Sequence, residues 1–215
     1  MQIAGAIFDL DGTILNTLPI VIEAFRRAIT MFVDRPFTDE DIISLFGPNE
    51  AGVIRRVIPD HWEEALTVYL NEYEALFTQR NIGPFPGIED ALQLLKNQGI
   101  RTAVVTGKGA YSTAFSLKHA FLDDYFDPVL TGSLDGPVKP RRIQEVLALW
   151  AVPPAKVFYL GDSLSDIQDA RMAEVIPLGA AWADLLNCDK LKAENPYAIF
   201  ATPQGFVDWI SSSLT

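Results

Sequence analysis

The chain has 215 residues, 49% of them hydrophobic, and a formal net charge of −11. This size permits one domain with a substantial core, with or without an insertion. The acidity excludes a general nucleic-acid binder, because such a protein needs a basic face. The single cysteine excludes an intramolecular disulfide and a cysteine metal cluster. The N-terminus lacks the basic segment of a signal peptide, and no apolar stretch reaches the roughly 20 residues that cross a bilayer, so we expect a cytoplasmic protein without a membrane partner.

The first predicted strand leads into two aspartates. An apolar run from Ile3 ends at Asp9 and Asp11, and Gly12-Thr13 predicts a turn directly afterwards. Strand alternation would point the two carboxylates to the same side. Two carboxylates this close repel each other and need a positive partner, for which a divalent cation is the first candidate. The alternative interpretation is a solvated strand end followed by ordinary turn residues.

The next stretch is predicted to be helical. Apolar residues recur at helical spacing over 18–32 and again over 62–77. The run T-D-E-D at 38–41 predicts a helix start, and residues 49–58 predict another short helix. No good strand appears between residues 17 and 80, so this part reads as a small helical unit.

From residue 86 onward, predicted strands alternate with predicted helices. The strands are expected at 101–105, 128–130, 157–160, 175–178 and 198–200. This alternation predicts an α/β fold with a parallel sheet covered by helices on both faces. Such sheets bind ligands at the carboxyl ends of their strands. Asp9, Thr106 and Asp162 each follow a predicted strand, so we expect them at one rim of the sheet.

The residues at this rim suit phosphate chemistry. Asp9 could act as a nucleophile that forms an aspartyl-phosphate, and Asp11 could serve as general acid and then as general base. Thr106 and the backbone N–H groups around Gly107 offer donors for phosphate oxygens. Lys139 could neutralise the nucleophile and the transferring group. A simple turn at Thr106-Gly107 and a solvated loop position for Lys139 are the structural alternatives.

Two further carboxylates indicate a metal. Asp162 and Asp166 add hard oxygen ligands of the kind that Mg²⁺ prefers. Asp166 also stands three residues after Ser163, which fits the S-x-x-D form of a helix-capping box. The spacing alone leaves both interpretations of Asp166 open.

Together these motifs resemble a known family. The motifs are D-L-D-G-T at 9–13, V-V-T-G at 104–107, K-P at 139–140 and G-D-S-L-S-D at 161–166. In order and spacing, across nearly the whole chain, the set resembles the haloacid dehalogenase superfamily of phosphohydrolases. The helical stretch resembles the cap of its phosphoglycolate-phosphatase-like branch. The resemblance implies a Rossmann-like catalytic core of residues 1–15 and 86–215, with an inserted all-helical cap at 16–85.

The resemblance also implies roles. Asp9 would attack phosphorus, Asp11 would be acid and then base, and Thr106, Gly107 and Lys139 would hold the phosphoryl group. The cap would close over the site, exclude water and choose the substrate. The expected enzyme is a phosphatase acting on a small phosphorylated metabolite similar to phosphoglycolate.

A magnesium site is implied in the same way. Mg²⁺ would be bound by Asp9, Asp162 and the backbone carbonyl of Asp11, with Asp166 supporting these ligands. A dehalogenase of this superfamily needs the first aspartate but not the acid two residues later. Asp11 therefore favours phosphate chemistry.

Other functions stay open at this point. A sugar-phosphate mutase of the same superfamily shares the core residues, and a phospho-acceptor signalling or binding protein would also use an aspartate with Thr, Lys and Mg²⁺. Asp11 and the helical insertion argue against the signalling or binding protein.

The sequence carries no signal for oligomeric state. Six arginines of the insertion could meet a second anionic group of a substrate or form solvated helix faces: Arg26, Arg27, Arg35, Arg55, Arg56 and Arg80.

Overall fold

The computed structural model describes residues 3–183 and 188–213. Their strands form one six-stranded sheet in the order β3-β2-β1-β4-β5-β6, and every neighbouring pair is parallel. The strands are β1 (Gly5–Phe8), β2 (Arg101–Val105), β3 (Val129–Leu130), β4 (Val157–Gly161), β5 (Ile176–Ala180) and β6 (Ala198–Phe200). The first strand along the chain lies at the centre of the sheet, so the residues that follow β1 have neighbouring loops on both sides.

Helices cover both faces of this sheet. The helices are α1 (Leu18–Thr30), α2 (Asp39–Ile43), α3 (Glu50–Val57), α4 (Trp62–Gln79), α5 (Ile88–Asn97), α6 (Ala110–His119), α7 (Lys139–Trp150), α8 (Leu164–Met172), α9 (Cys188–Ala193) and α10 (Pro203–Ser213). Successive strand residues point to opposite faces. Phe8 accordingly packs with Phe206 of α10, whereas Ile7 belongs to a second core with Ile143 and Trp150 of α7. The predicted α/β fold is confirmed.

The insertion after β1 is helical, as predicted. Helices α1 to α4 all lie within residues 16–85, and α2 begins with a capping box between Thr38 and Asp41. Helices α1 and α4 pack through Phe25 and Tyr69, whose ring centroids are 4.4 Å apart. We call these four helices and their connections the cap; its exact boundaries at residues 16 and 85 remain a prediction.

None of the helices within the described ranges is both long enough and apolar enough to cross a bilayer.

Candidate active site

The predicted site residues meet at one rim of the sheet, beneath the cap. A cavity of about 560 Å³ opens there. Its lining includes six of the seven predicted residues: Asp9, Asp11, Thr106, Gly107, Lys139 and Asp162. The seventh, Asp166, is fully buried and contacts Lys139.

Asp9 lies immediately after the central strand. Strand β1 ends at Phe8, and the N–H of Asp9 still donates to the carbonyl of Leu160 in β4 at 2.9 Å. Its Oδ1 accepts from the N–H of Leu10 at 2.8 Å, and its Oδ2 accepts from Nζ of Lys139 at 2.7 Å. Burial raises the pKa of Asp9 to about 6, although the charge of Lys139 opposes the rise. Asp9 and Asp11 therefore lie in the loop after β1, and strand alternation does not determine where their side chains point.

Asp11 forms an ion pair with Lys108, a residue that was not predicted from the sequence. Nζ of Lys108 lies 3.3 Å from both carboxylate oxygens of Asp11. The Lys108 side chain is 1% exposed, and its Nζ lies 4.0 Å from the centre of the Tyr73 ring in the cap. Thr17 donates to the same carboxylate. The only sequence signal for Lys108 is its position two residues after Thr106, directly past the end of β2.

Asp9 and Asp11 each have a lysine partner. The excess of negative charge lies in the cluster that Asp9 forms with Asp162 and Asp166. Oxygen atoms of Asp9, Asp162 and Asp166 lie within 4.8 Å of one another, and all three residues are buried. Lys139 contacts Asp9 and Asp166, at 2.7 and 2.5 Å. Three carboxylates against one ammonium leave two negative charges, which fits a divalent cation with oxygen ligands.

Burial and neighbouring charges shift the pKa values of the carboxyl groups in this cluster in different directions. Burial, reinforced by the charges of Asp166 and Asp9, raises the pKa of Asp162 well above its usual range. Burial also acts on Asp166, but the charge and hydrogen bonds of Lys139 and Ser163 outweigh it and lower its pKa. Asp169, which the sequence analysis also missed, lines the cavity, and burial raises its pKa to about 6.

Asp166 forms the predicted capping box and also belongs to the buried acidic cluster, and its role toward a metal stays a prediction. Its side chain and that of Ser163 form a capping box at the start of α8. The other carboxylate oxygen accepts from Lys139 and from the hydroxyl of Tyr159. Lys139 is no solvated loop residue, because it begins α7 and its side chain is only 14% exposed. The helix cap therefore also fixes the lysine beside Asp9.

Gly12 allows the acidic cluster to assemble. It has a φ of 77°, and a β-carbon at this position would overlap the carboxylate of Asp162. The hydroxyl of Thr13 donates to Asp162 at 3.3 Å. The Gly-Thr turn seen in the sequence thus brings the end of β1 against the end of β4.

The cap contacts the core beside the predicted phosphate loop. Glu50, the first residue of α3, is 6% exposed. Its carboxylate accepts from the N–H of Gly109 at 2.5 Å and from the hydroxyl of Ser112, at the beginning of α6. In the loop before this helix, the hydroxyl oxygen of Thr106 accepts from the N–H of Lys108 at 3.3 Å. The amino end of α6 is thus occupied by a carboxylate of the cap.

Comparison with known proteins assigns this arrangement to a family. The family model of haloacid dehalogenase-like hydrolases matches residues 6–180. The chain belongs to the haloacid dehalogenase-like hydrolases. The resemblance inferred from the four motifs is confirmed, and so is the prediction that the chain is an enzyme of the hydrolase class.

Individual members of this hydrolase family are similar over most of their length. The pyrophosphatase PpaX of Listeria welshimeri is 30% identical over 185 residues, which make up 85% of each chain. A PpaX protein of Caldanaerobacter subterraneus is 33% identical over 199 residues, or 91% of this chain and 89% of the relative. The crystal structure of a predicted phosphatase from Clostridium acetobutylicum has a TM-score of 0.78 at 22% identity, covering 99% and 100% of the two chains. This structural likeness concerns the fold.

Proposed function

We propose that the chain is a Mg²⁺-dependent phosphatase that hydrolyses a small phosphomonoester through an aspartyl-phosphate on Asp9. The observation that carries this proposal is the position of Asp9. Its carboxylate faces the cavity between Lys139 and a buried acidic cluster, while Asp11 lines the same cavity with its own lysine. The name of the sequence relatives, pyrophosphatase, supports phosphoryl transfer as the reaction class.

The first half of the reaction transfers the phosphoryl group to the protein. An oxygen of Asp9 attacks phosphorus, and the bond between phosphorus and the ester oxygen breaks. Asp11 gives a proton to the departing oxygen, so that the product leaves as a neutral alcohol. Thr106, Gly107 and Lys139 hold the phosphoryl oxygens.

The second half regenerates the enzyme. Asp11, now a carboxylate, accepts a proton from a water molecule that attacks phosphorus. The bond between phosphorus and Asp9 breaks, which releases inorganic phosphate and restores both aspartates. Bound Mg²⁺ would supply positive charge against the phosphoryl oxygens. Asp9, Asp162 and the backbone carbonyl of Asp11 would hold it, with Asp166 in support.

Lys108 acts in this mechanism as a positioning residue for Asp11. Replacing Lys108 by Met keeps a long side chain against Tyr73 but removes the ammonium group. We expect kcat/KM to fall by about 10- to 100-fold, which is at or below the low end of what acid–base catalysis contributes, because Asp11 itself is retained. Lys118→Met, at an exposed position of α6, is the matched control and should retain its activity. Full activity of a folded Lys108→Met protein would contradict this role.

A substrate screen tests the proposed function. The purified protein is incubated with Mg²⁺ and a panel of phosphorylated metabolites that includes phosphoglycolate, and released phosphate is measured. Turnover of at least one phosphomonoester is the expected result. Interconversion of sugar monophosphates without phosphate release would indicate the mutase instead, and a long-lived aspartyl-phosphate without release would indicate a signalling or binding protein. The cytoplasmic setting remains a prediction from the sequence.

A further inference from the structure

The wall that the cap contributes to the cavity is mostly apolar. Helices α1, α2 and α3 and the loop after α2 supply it, and we call these residues the cap wall: Leu18, Val21, Phe25, Ile43, Phe46 and Val53. The cavity volume of about 560 Å³ lies in the range of pockets that enclose drug-sized ligands. The space beyond a phosphoryl group is therefore bounded by hydrocarbon.

The arginines of the cap do not reach this space. None of the six is among the residues that line the cavity. Arg26 pairs with Glu23 and Asp39. Arg27 pairs with Glu23 and Glu72 at 2.8 Å each. Arg26 and Arg27 are both paired with acidic residues of the cap, so their interpretation as substrate ligands is not supported.

The lysines of the cavity are also already paired. Lys139 contacts Asp9 and Asp166, and Lys108 contacts Asp11. Within the described lining, no other Lys or Arg is present. A phosphoryl group that binds next to Lys139 leaves no free cation for a second anionic group of the same substrate.

The one charged side chain that the cap supplies to the described lining is negative. Glu50 lies against the cavity and is held by Gly109 and Ser112. A buried carboxylate repels an anionic leaving group, because charges interact more strongly away from bulk water. Pyrophosphate and phosphoglycolate both carry such a second anionic group.

Tyr69 is the one residue of the cap in the described lining that carries an uncharged polar side chain. Tyr69 lines the cavity, is fully buried, and its hydroxyl has no hydrogen-bond partner among the described residues. Because this hydroxyl is covered by the protein, it offers no polar contact to a substrate in the cavity.

We propose that the natural substrate is a phosphomonoester of an uncharged alcohol with a mainly apolar body. This inference rests on the proposed function and narrows it. It predicts that pyrophosphate and phosphoglycolate, which carry a second anionic group, are poor substrates of this protein.

Two esters of equal chain length test the inference. The first is n-butyl phosphate, and the second is the phosphate ester of 4-hydroxybutyrate, which differs in its terminal carboxylate. With Mg²⁺ present, we expect kcat/KM for n-butyl phosphate to be at least about tenfold higher. Inorganic pyrophosphate and phosphoglycolate should be similarly poor substrates.

A variant assigns the discrimination to Glu50. Glu50→Gln removes the charge and retains an oxygen acceptor for Gly109. The ratio of kcat/KM for the carboxylated ester to that for n-butyl phosphate should rise by about three- to tenfold. Glu63→Gln, at an exposed position of the cap outside the cavity, is the control and should leave the ratio unchanged.

The outcomes separate this inference from the proposed function. If kcat/KM for the carboxylated ester, phosphoglycolate or pyrophosphate equals or exceeds that for n-butyl phosphate, the inference is overturned and the phosphatase mechanism stands. If the ratio of the two kcat/KM values is unchanged in Glu50→Gln, the assignment of the discrimination to the charge of Glu50 is also overturned. If no phosphomonoester releases phosphate, both fail.

Discussion

Replacing Asp9 by Asn is expected to abolish turnover and to leave the fold intact. The amide cannot form an acyl-phosphate with the substrate, and removing a nucleophile typically costs at least about a thousandfold in kcat. The fold should survive because Lys139 keeps Asp166 as a partner at 2.5 Å. The raised pKa of Asp9 also means that its buried charge is unfavourable in the metal-free protein. Phosphate release and thermal unfolding measure the two effects separately.

The matched control for this variant is Asp124→Asn, at an exposed position in a short 3₁₀ helix and outside the described cavity lining. It should retain full activity. Near-normal turnover by Asp9→Asn would refute the aspartyl-phosphate mechanism, whatever the substrate. An unfolded Asp9→Asn protein would instead show that the carboxylate is needed for the structure.

Removing divalent ions is expected to abolish activity and to make stability depend on pH in a defined direction. The pKa of Asp9 is about 6 in the folded protein, against an ordinary value of 3.8. A carboxyl group with a raised folded-state pKa stabilises the fold below its ordinary pKa, and this contribution is lost as the pH rises through 6. The loss amounts to about 3 kcal/mol for Asp9, and Asp162 acts in the same direction. The lowered pKa of Asp166 acts oppositely, at lower pH.

Added Mg²⁺ should therefore raise Tm more at pH 8 than at pH 5. At pH 8 the cluster is ionised and ready to bind the ion, whereas at pH 5 protons compete for Asp9 and Asp162. Thermal unfolding with chelator and with Mg²⁺, at both pH values, gives the two increments. Asp162→Asn should reduce the increment at pH 8. Equal increments at both pH values, or activity that survives thorough chelation, would contradict the metal assignment.

The sequence predicted the sheet and the rim well because each signal is local. Residues 101–105 end in the apolar run A-V-V before Thr106-Gly107, residues 198–200 are apolar throughout, and the structure has strands at the same positions. The rim then follows from topology, since carboxyl ends of parallel strands meet at one edge. Asp9 and Asp162 could be placed there without knowledge of any contact.

The partners of these residues could not be predicted in the same way. Lys108 approaches Asp11 across 97 positions of the chain, and nothing in the local pattern distinguishes it from an exposed lysine. Glu50 begins a cap helix and reads as a helix-start acid, yet it bonds the start of α6. Such pairs depend on how the cap docks on the core. The functional roles of the site residues stay predictions until they are tested.

The two hydrogen bonds at Asp9 have a consequence for the timing of entropy loss. One carboxylate oxygen is held by the N–H of Leu10 and the other by Lys139. The terminal torsion of an aspartate is otherwise a broad, nearly free rotor. Its orientation is fixed when the chain folds, so the approach to phosphorus needs no search over rotamers. The rotational entropy of the nucleophile is lost once, during folding, and not again in each turnover.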